Sequence, residues 1–304
     1  MGPFTLNRIP KWKVPAILIT LVALIVISRY FAGSPGLGAE SSVAQRSFTI
    51  AGMNVIAWTP PQTVAGPWPV IIFSHGFHGC NTQSTFLTKG LAAAGYAVFA
   101  PDHHDAACHH PLALLRPPDE PFAQPDKWSD ATYADREHDI EKLIDALKHD
   151  PTYGGSRFDW NELGLIGHSL GGYTVLGLSG AWPSWKDPRV KAVVGLSPFS
   201  TPFLTRGQLG DLGIPAMYQG GTLDMGITPF VAKANGVYDQ TRPPKYYIEL
   251  DGAGHMAWTD LRSTYHAAIL DYTVAFFDRY LKGKPFPEAL NVPHDAVSAV
   301  RIAD

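Results

Sequence analysis

The sequence predicts a doubly wound α/β domain with about eight mostly parallel strands, on three observations. Short, wholly apolar runs alternate with amphipathic helical stretches. The runs end in small and polar residues of the kind found at strand carboxyl ends. No internal repeat or second boundary interrupts Arg46 to Leu281. In order, Phe48 to Ile50 and Val55 to Trp58, on either side of a turn at Gly52, read as an opening antiparallel pair. Val70 to Phe73 and Ala97 to Ala100 read as buried parallel strands, because apolar residues on both faces mean helices cover both. Between them a helix starts near Ser84 or Thr85, carries Phe86, Leu87, Leu91, Ala92 and Ala94, and stops at Gly95, the residue type that ends helices at positive φ. The helix Tyr133 to His149 puts Ile140, Leu143, Ile144 and Leu147 on one face and leads to the strand Leu163 to Ile166. Strands Ala192 to Leu196, Ala216 to Gln219 and Tyr246 to Leu250 follow, and Tyr265 to Leu281 is a closing amphipathic helix. Pro101 to Asp130 breaks this rhythm with roughly thirty residues and six prolines, a length at which loops are usually functional or disordered.

Ahead of this domain, all four charged residues before Glu40 (Arg8, Lys11, Lys13 and Arg29) are basic, and Ala16 to Ile27 is apolar except for Thr20. That layout is a secretory signal in residues 1–39, leaving 40–304 as a single domain. The apolar run spans roughly 18 Å as a helix, short of the ~30 Å hydrocarbon core, yet extended to Gly33 it could anchor instead. Cleavage after Ala39 would put Leu37 three residues before the cut, which favours the anchor. The protein is therefore expected to be secreted or periplasmic, or held at the membrane by this segment alone. From Glu40 onward 20 basic and 27 acidic residues leave a formal charge of −7 without a Lys/Arg run, which excludes nucleic acid as a partner.

The chemistry begins after the strand Leu163 to Ile166, where Gly167, His168, Ser169, Leu170, Gly171 and Gly172 precede a helical stretch through Leu178. Small residues two before and two after a serine allow a sharp strand-to-helix turn that lifts the hydroxyl above the sheet edge, a nucleophile elbow. A serine hydroxyl needs a base and an orienting acid, which in this arrangement follow in the order acid, then histidine. Asp224 follows the strand Ala216 to Gln219, and His255 follows Tyr246 to Leu250, so all three reach one sheet edge. His255 is the expected base and Asp224 its orienting acid; Asp251, four residues before His255, is the rival acid. Activity should then fall on acidification as the base takes up its proton. The oxyanion needs two backbone N–H donors, for which Leu170 and Phe77 are the candidates; His75 is read as loop-shaping and His168 as packing.

With these residues in place, Phe73 to Gly79 (FSHGFHG), Gly167 to Gly172 (GHSLGG) and Ile248 to His255 (IELDGAGH), with the helix Asp135 to Leu147, resemble the α/β-hydrolase superfamily over about Val70 to Leu281. Within it the chain resembles the branch of dienelactone hydrolases, platelet-activating-factor acetylhydrolases and cutinase-like polyester hydrolases. The resemblance implies that Phe77 and Phe199 flank the scissile ester, although tryptophan is usual at the second position. Dienelactone hydrolases proper use a cysteine nucleophile where position 169 is serine, so that reaction is not expected. In this fold the strands before Cys80 and Cys108 are neighbours, which predicts a disulfide between them; the alternative is two buried thiols.

His103, His104, Asp105, His109 and His110 crowd Cys108, but their spacing matches no common zinc pattern and a serine triad needs none, so no metal and no cofactor is expected. Trp258 is assigned to substrate binding with Phe77 and Phe199; Trp182 and Trp185 either line the same pocket or belong to the core. The expectation is a serine esterase acting on a small-molecule or polymeric ester, with an acyltransferase, an amidase or peptidase, or a non-catalytic scaffold as alternatives. Neither the oligomeric state nor the natural ester is legible.

Overall fold

The computed structural model of the chain describes residues 43–108, 111–293 and 295–304. The leader, with its signal and anchor readings, and His109 and His110 lie outside the described residues. The strands are β1 (Ala44–Ile50), β2 (Met53–Thr59), β3 (Trp68–Ser74), β4 (Ala97–Pro101), β5 (Phe158–His168), β6 (Val190–Leu196), β7 (Ala216–Gly221), β8 (Lys245–Leu250) and β9 (Val297–Ala303). The helices are α1 (Thr85–Ala93), α2 (Ala134–His149), α3 (Leu170–Leu176), three short ones, α4 (Thr201–Leu204), α5 (Thr228–Ala232) and α6 (Val237–Gln240), and α7 (His266–Lys282).

All described strands join one sheet in the order β1-β2-β4-β3-β5-β6-β7-β8-β9, parallel from β4 through β8 and antiparallel at both edges. The ninth strand, beyond the sequence expectation, pairs Lys245 with Ala303 through Leu250 with Val297. Its sequence, VSAVRIA, lies past the last helix, and only Val297 is buried, so its mixed pattern carries the weak signal of an edge strand.

The central strands alternate between two cores, as period-two side-chain geometry requires. Val70 and Ile72 join Ile140, Leu143 and Leu147 of α2 on one face, while Ile71 and Phe73 join Leu87 and Leu91 of α1 and Ile269 and Phe276 of α7 on the other. Burying each such side chain contributes about 1.5 to 3 kcal/mol. Gly95 ends α1 at φ 96, as expected of a helix-stopping glycine, and Gly283 closes α7 at φ 65.

Chain order reverses around β3, since β4 lies on one side of it and β5 on the other. Such a switch point leaves a crevice at the strand carboxyl ends, where ligands of open α/β sheets bind. Gly76 and Phe77 follow β3 there, and Ser169 follows β5. Among the described residues no helix is long and apolar enough to cross a membrane.

Candidate active site

Ser169 stands between β5 and α3 at φ 55 and ψ −116, a conformation non-glycine residues adopt only under constraint from their surroundings. The constraint is visible in the glycines around it. A Cβ on Gly167 would lie 2.2 Å from the Gly171 carbonyl oxygen, and one on Gly171 would lie 2.0 Å from that of Ser74. Backbone bonds from Ser169 N–H to the Leu196 carbonyl (3.1 Å) and from Tyr173 and Phe199 N–H to the Ser169 carbonyl (3.2 and 2.9 Å) lock the turn.

The three sequence candidates meet. His255 Nε2 lies 2.9 Å from Ser169 Oγ, and its Nδ1 lies 3.1 Å from Asp224 Oδ2. The Asp224 side chain is 4% exposed and that of His255 36%, so the carboxylate is sheltered while the imidazole faces the cleft. Asp251 is exposed and accepts a hydrogen bond from Thr222 Oγ1 at 3.4 Å, away from the histidine. A fourth residue, not singled out from the sequence, completes the group: Ser197, after β6, donates its hydroxyl to Asp224 Oδ2 and lies 3.0 Å from His255 Nδ1. Ser197 is wholly buried and, like Ser169, takes a positive φ, 42°, with its N–H held by the Gln219 carbonyl at 2.8 Å. Only the adjacency of β6 and β7 brings it to the aspartate.

His168 does more than pack. Gln83 accepts the Gly76 N–H at 2.9 Å and donates to His168 Nδ1 at 3.0 Å, so His168 carries its proton on Nε2 and donates it to the His255 carbonyl at 2.9 Å. Burial and the neighbouring His255 push the His168 pKa down to about 3, keeping it a neutral donor. One amide thereby ties the loop after β3, through His168, to the backbone of His255.

That loop is held from below by Arg136 of α2. Its guanidinium donates from Nη1 to the His75 carbonyl at 2.7 Å and from Nη2 to the Gly76 carbonyl at 3.2 Å, and it grips both Asp105 oxygens at 2.8 Å. Burial would raise the Asp105 pKa, but the Arg136 charge overrides it and holds the carboxyl well below the usual range. In a trans peptide the N–H points opposite the preceding carbonyl, so pinning the Gly76 oxygen aims the Phe77 N–H the other way. His75 donates from Nδ1 to the same oxygen at 2.7 Å, consistent with a loop-shaping residue. On the far side of the crevice, Leu170 opens α3, and a first-turn N–H has no acceptor within its own helix.

A second hydroxyl, imidazole and carboxylate array lies beneath the first. Ser74 Oγ is 2.9 Å from His103 Nε2, and His103 Nδ1 is 2.9 Å from Asp139 Oδ2, with Ser74 and His103 buried. The remaining described members of the histidine-rich loop are likewise committed: Asp105 to Arg136, and His104 to Asp135. Among the described residues no group of three or more His, Cys, Asp or Glu side chains is placed to hold a metal ion.

The assignments to substrate binding fare differently. Phe77 is half-buried and Phe199 is 6% exposed, and Phe122 of the proline-rich loop packs between them. Trp258 lies in the core on the opposite face, 0% exposed, its Nε1 donating to Gln219 Oε1 at 3.1 Å, which corrects its assignment to a binding surface. It begins no cleft wall because the short helix His255–Trp258 turns it inward. Trp182 and Trp185 also belong to the core. Cys80 and Cys108 form a disulfide, their Cα atoms 5.9 Å apart, that fastens the long loop to the segment after Phe77.

Two family models match the chain: PET hydrolase-like over residues 122–296, and platelet-activating factor acetylhydrolase, isoform II, over residues 29–142. Cutinase 1 of Thermobifida cellulosilytica is 25% identical over 244 residues, covering 80% of this chain and 78% of its own. A cutinase of Thermobifida fusca (strain YX) is 25% identical, covering 80% and 68%. The bis(hydroxyethyl) terephthalate hydrolase of Streptomyces coelicolor is 24% identical over 254 residues, covering 80% and 66%.

Proposed function

Since the chain belongs to the PET hydrolase-like family and is a carboxylic ester hydrolase built on the α/β-hydrolase fold, we propose that Ser169 is its nucleophile, His255 its general base and Asp224 the acid that orients the imidazole. The observation that carries this is the single imidazole bridging hydroxyl and carboxylate at 2.9 and 3.1 Å. His255 Nε2 takes the hydroxyl proton as Ser169 Oγ bonds to the ester carbon and the C=O electron pair moves onto oxygen. The Phe77 and Leu170 amides receive that oxyanion, an arrangement supported by the pinned Gly76 carbonyl and by the start of α3. Collapse breaks the bond to the leaving oxygen, which departs with the proton from His255, and water then releases the acyl group by the same steps in reverse roles.

The relatives support polyester-like esters as substrates, and the acetylhydrolase match over residues 29–142 supports short acyl esters as a second class. The basic and then apolar leader, together with the Cys80–Cys108 disulfide, supports export into an oxidising space, with the leader as a membrane anchor the alternative. The test is hydrolysis of p-nitrophenyl esters from acetate to palmitate by residues 40–304 beside Ser169→Ala. A loss of turnover on the order of 10⁶-fold is expected. Near-normal turnover by the variant would remove Ser169 from the chemistry.

A further inference from the structure

The crevice beside Ser169 is lined on one side by Phe77, whose loop comes so close that a Cβ on Gly76 would lie 3.4 Å from Ser169 Cβ. On the other side stands Phe199, whose N–H is bonded to the Ser169 carbonyl at 2.9 Å. Both rings belong to the core face carrying α2 and α3, whereas the helical turn after His255 packs into the opposite face through Ala257 and Trp258. A leaving oxygen must lie toward His255, which protonates it, so the acyl group extends the other way, between Phe77 and Phe199.

That space already holds a ring. Phe122 is edge-on to Phe77 at 5.5 Å between centroids and edge-on to Phe199 at 4.9 Å. These are contact distances for aromatic pairs, so Phe122 bridges the two rings. The ring is fixed rather than draped. Trp128, fully buried, donates from Nε1 to the carbonyl of Pro121 at 3.2 Å and packs on Phe122 at 5.4 Å. Asp119 accepts the Tyr133 N–H at 3.0 Å and a bond from Arg116 Nη2 at 3.0 Å, clamping the same segment to the start of α2.

We propose that Phe122 is a specificity-determining residue, a wedge from the proline-rich loop that closes the acyl side of the cleft to rings and admits short unbranched acyl groups. This rests on the triad assignment and narrows its substrate class to esters of small aliphatic acids. The experiment compares kcat/KM for p-nitrophenyl acetate, butyrate and benzoate in wild-type protein, Phe122→Ala and Phe122→Leu, with melting temperatures alongside. Wild type is expected to favour acetate and butyrate, and Phe122→Ala to raise the benzoate-to-acetate ratio at least ~10-fold, as opening a pocket by a whole side chain should. Phe122→Leu, which keeps an apolar side chain but not the ring's breadth, should raise it less, and it carries the comparison should the alanine variant not fold. A ratio unchanged in folded variants that still cleave acetate overturns the wedge, as does wild type accepting benzoate as well as acetate. Absence of turnover by wild type on every ester overturns the triad assignment and the wedge with it.

Discussion

Removing the Arg136 guanidinium separates stability from rate. Arg136→Met would leave the Asp105 carboxylate, 2% exposed, with no cation, would strip the His75 carbonyl of its guanidinium donor, and would leave the Gly76 carbonyl to His75 Nδ1 at 2.7 Å and the Gly79 N–H at 2.9 Å. Breaking a buried pair from one side costs about 3 to 5 kcal/mol. At about 2 °C per kcal/mol for a domain of this size, the melting temperature should drop by roughly 6 to 10 °C. The double variant Asp105→Leu with Arg136→Met removes both charges and should regain most of that stability, since a buried pair replaced by apolar groups is close to neutral. It does not restore the guanidinium bonds to the His75 and Gly76 carbonyls, so the peptide carrying the Phe77 amide is held less firmly and kcat should remain about 3- to 10-fold down, a small share of the 10² to 10³ for a lost oxyanion donor. Urea denaturation and initial rates on p-nitrophenyl acetate measure the two quantities on the same samples. The pair also has a pH signature. A carboxyl held below its unfolded value contributes stability above about pH 4 that is lost as the pH falls further. A double variant with wild-type kcat would refute the idea that Arg136 aims the oxyanion loop.

Ser197→Ala should lower kcat about 3- to 30-fold at unchanged KM and move the acid limb of the pH–rate profile upward, because the Asp224 carboxylate loses a donor and binds the imidazolium proton more strongly; an unmoved profile would make the contact merely structural. Replacing Cys80 and Cys108 by serine opens a link with a sequence separation of 28 and should cost about 3.5 kcal/mol by loop entropy, read from chemical denaturation with and without reductant. Stability should also fall with acid. His168 is neutral in the fold down to about pH 3 but is protonated in the unfolded chain below about 6.5, so between these values it removes about 1.4 kcal/mol per pH unit; burial lowers His75 and His103 in the same sense. Denaturation midpoints that stay level from about pH 7 to 5 would contradict three neutral buried imidazoles.

Much of the site was legible because its chemistry is punctuated by local rules. Glycines flank Ser169 because the turn leaves no room for a Cβ, and Asp224 and His255 each follow an apolar run that could only be a buried strand. What escaped notice depends on neighbours distant in sequence. Ser197 follows a strand as Asp224 does, yet a serine before a proline carries no mark of its role until β6 and β7 lie side by side. Phe122 sits in a segment without helical or strand period, so nothing local says where its ring points. Trp258 misled for a similar reason. Its distance from His255 along the chain is short, but the direction of a side chain from a helical turn is set by the core it packs against, and here that core takes it. Strand β9 fell beyond the last strong periodicity.

The buried array of Ser74, His103 and Asp139 works as an internal control supplied by the fold. Its hydroxyl-to-imidazole and imidazole-to-carboxylate spacings, both 2.9 Å, are close to the 2.9 and 3.1 Å among Ser169, His255 and Asp224, and a template built from three atoms would accept either. Only one of them faces solvent, beside a strained turn and a helix start. A fluorophosphonate probe should therefore label this protein at one serine per chain, and peptide mapping should find the label on Ser169 and none on Ser74. Labelling confined to Ser169 would mean that access and the nearby backbone amides confer nucleophilicity, and that the relay of hydrogen bonds by itself does not.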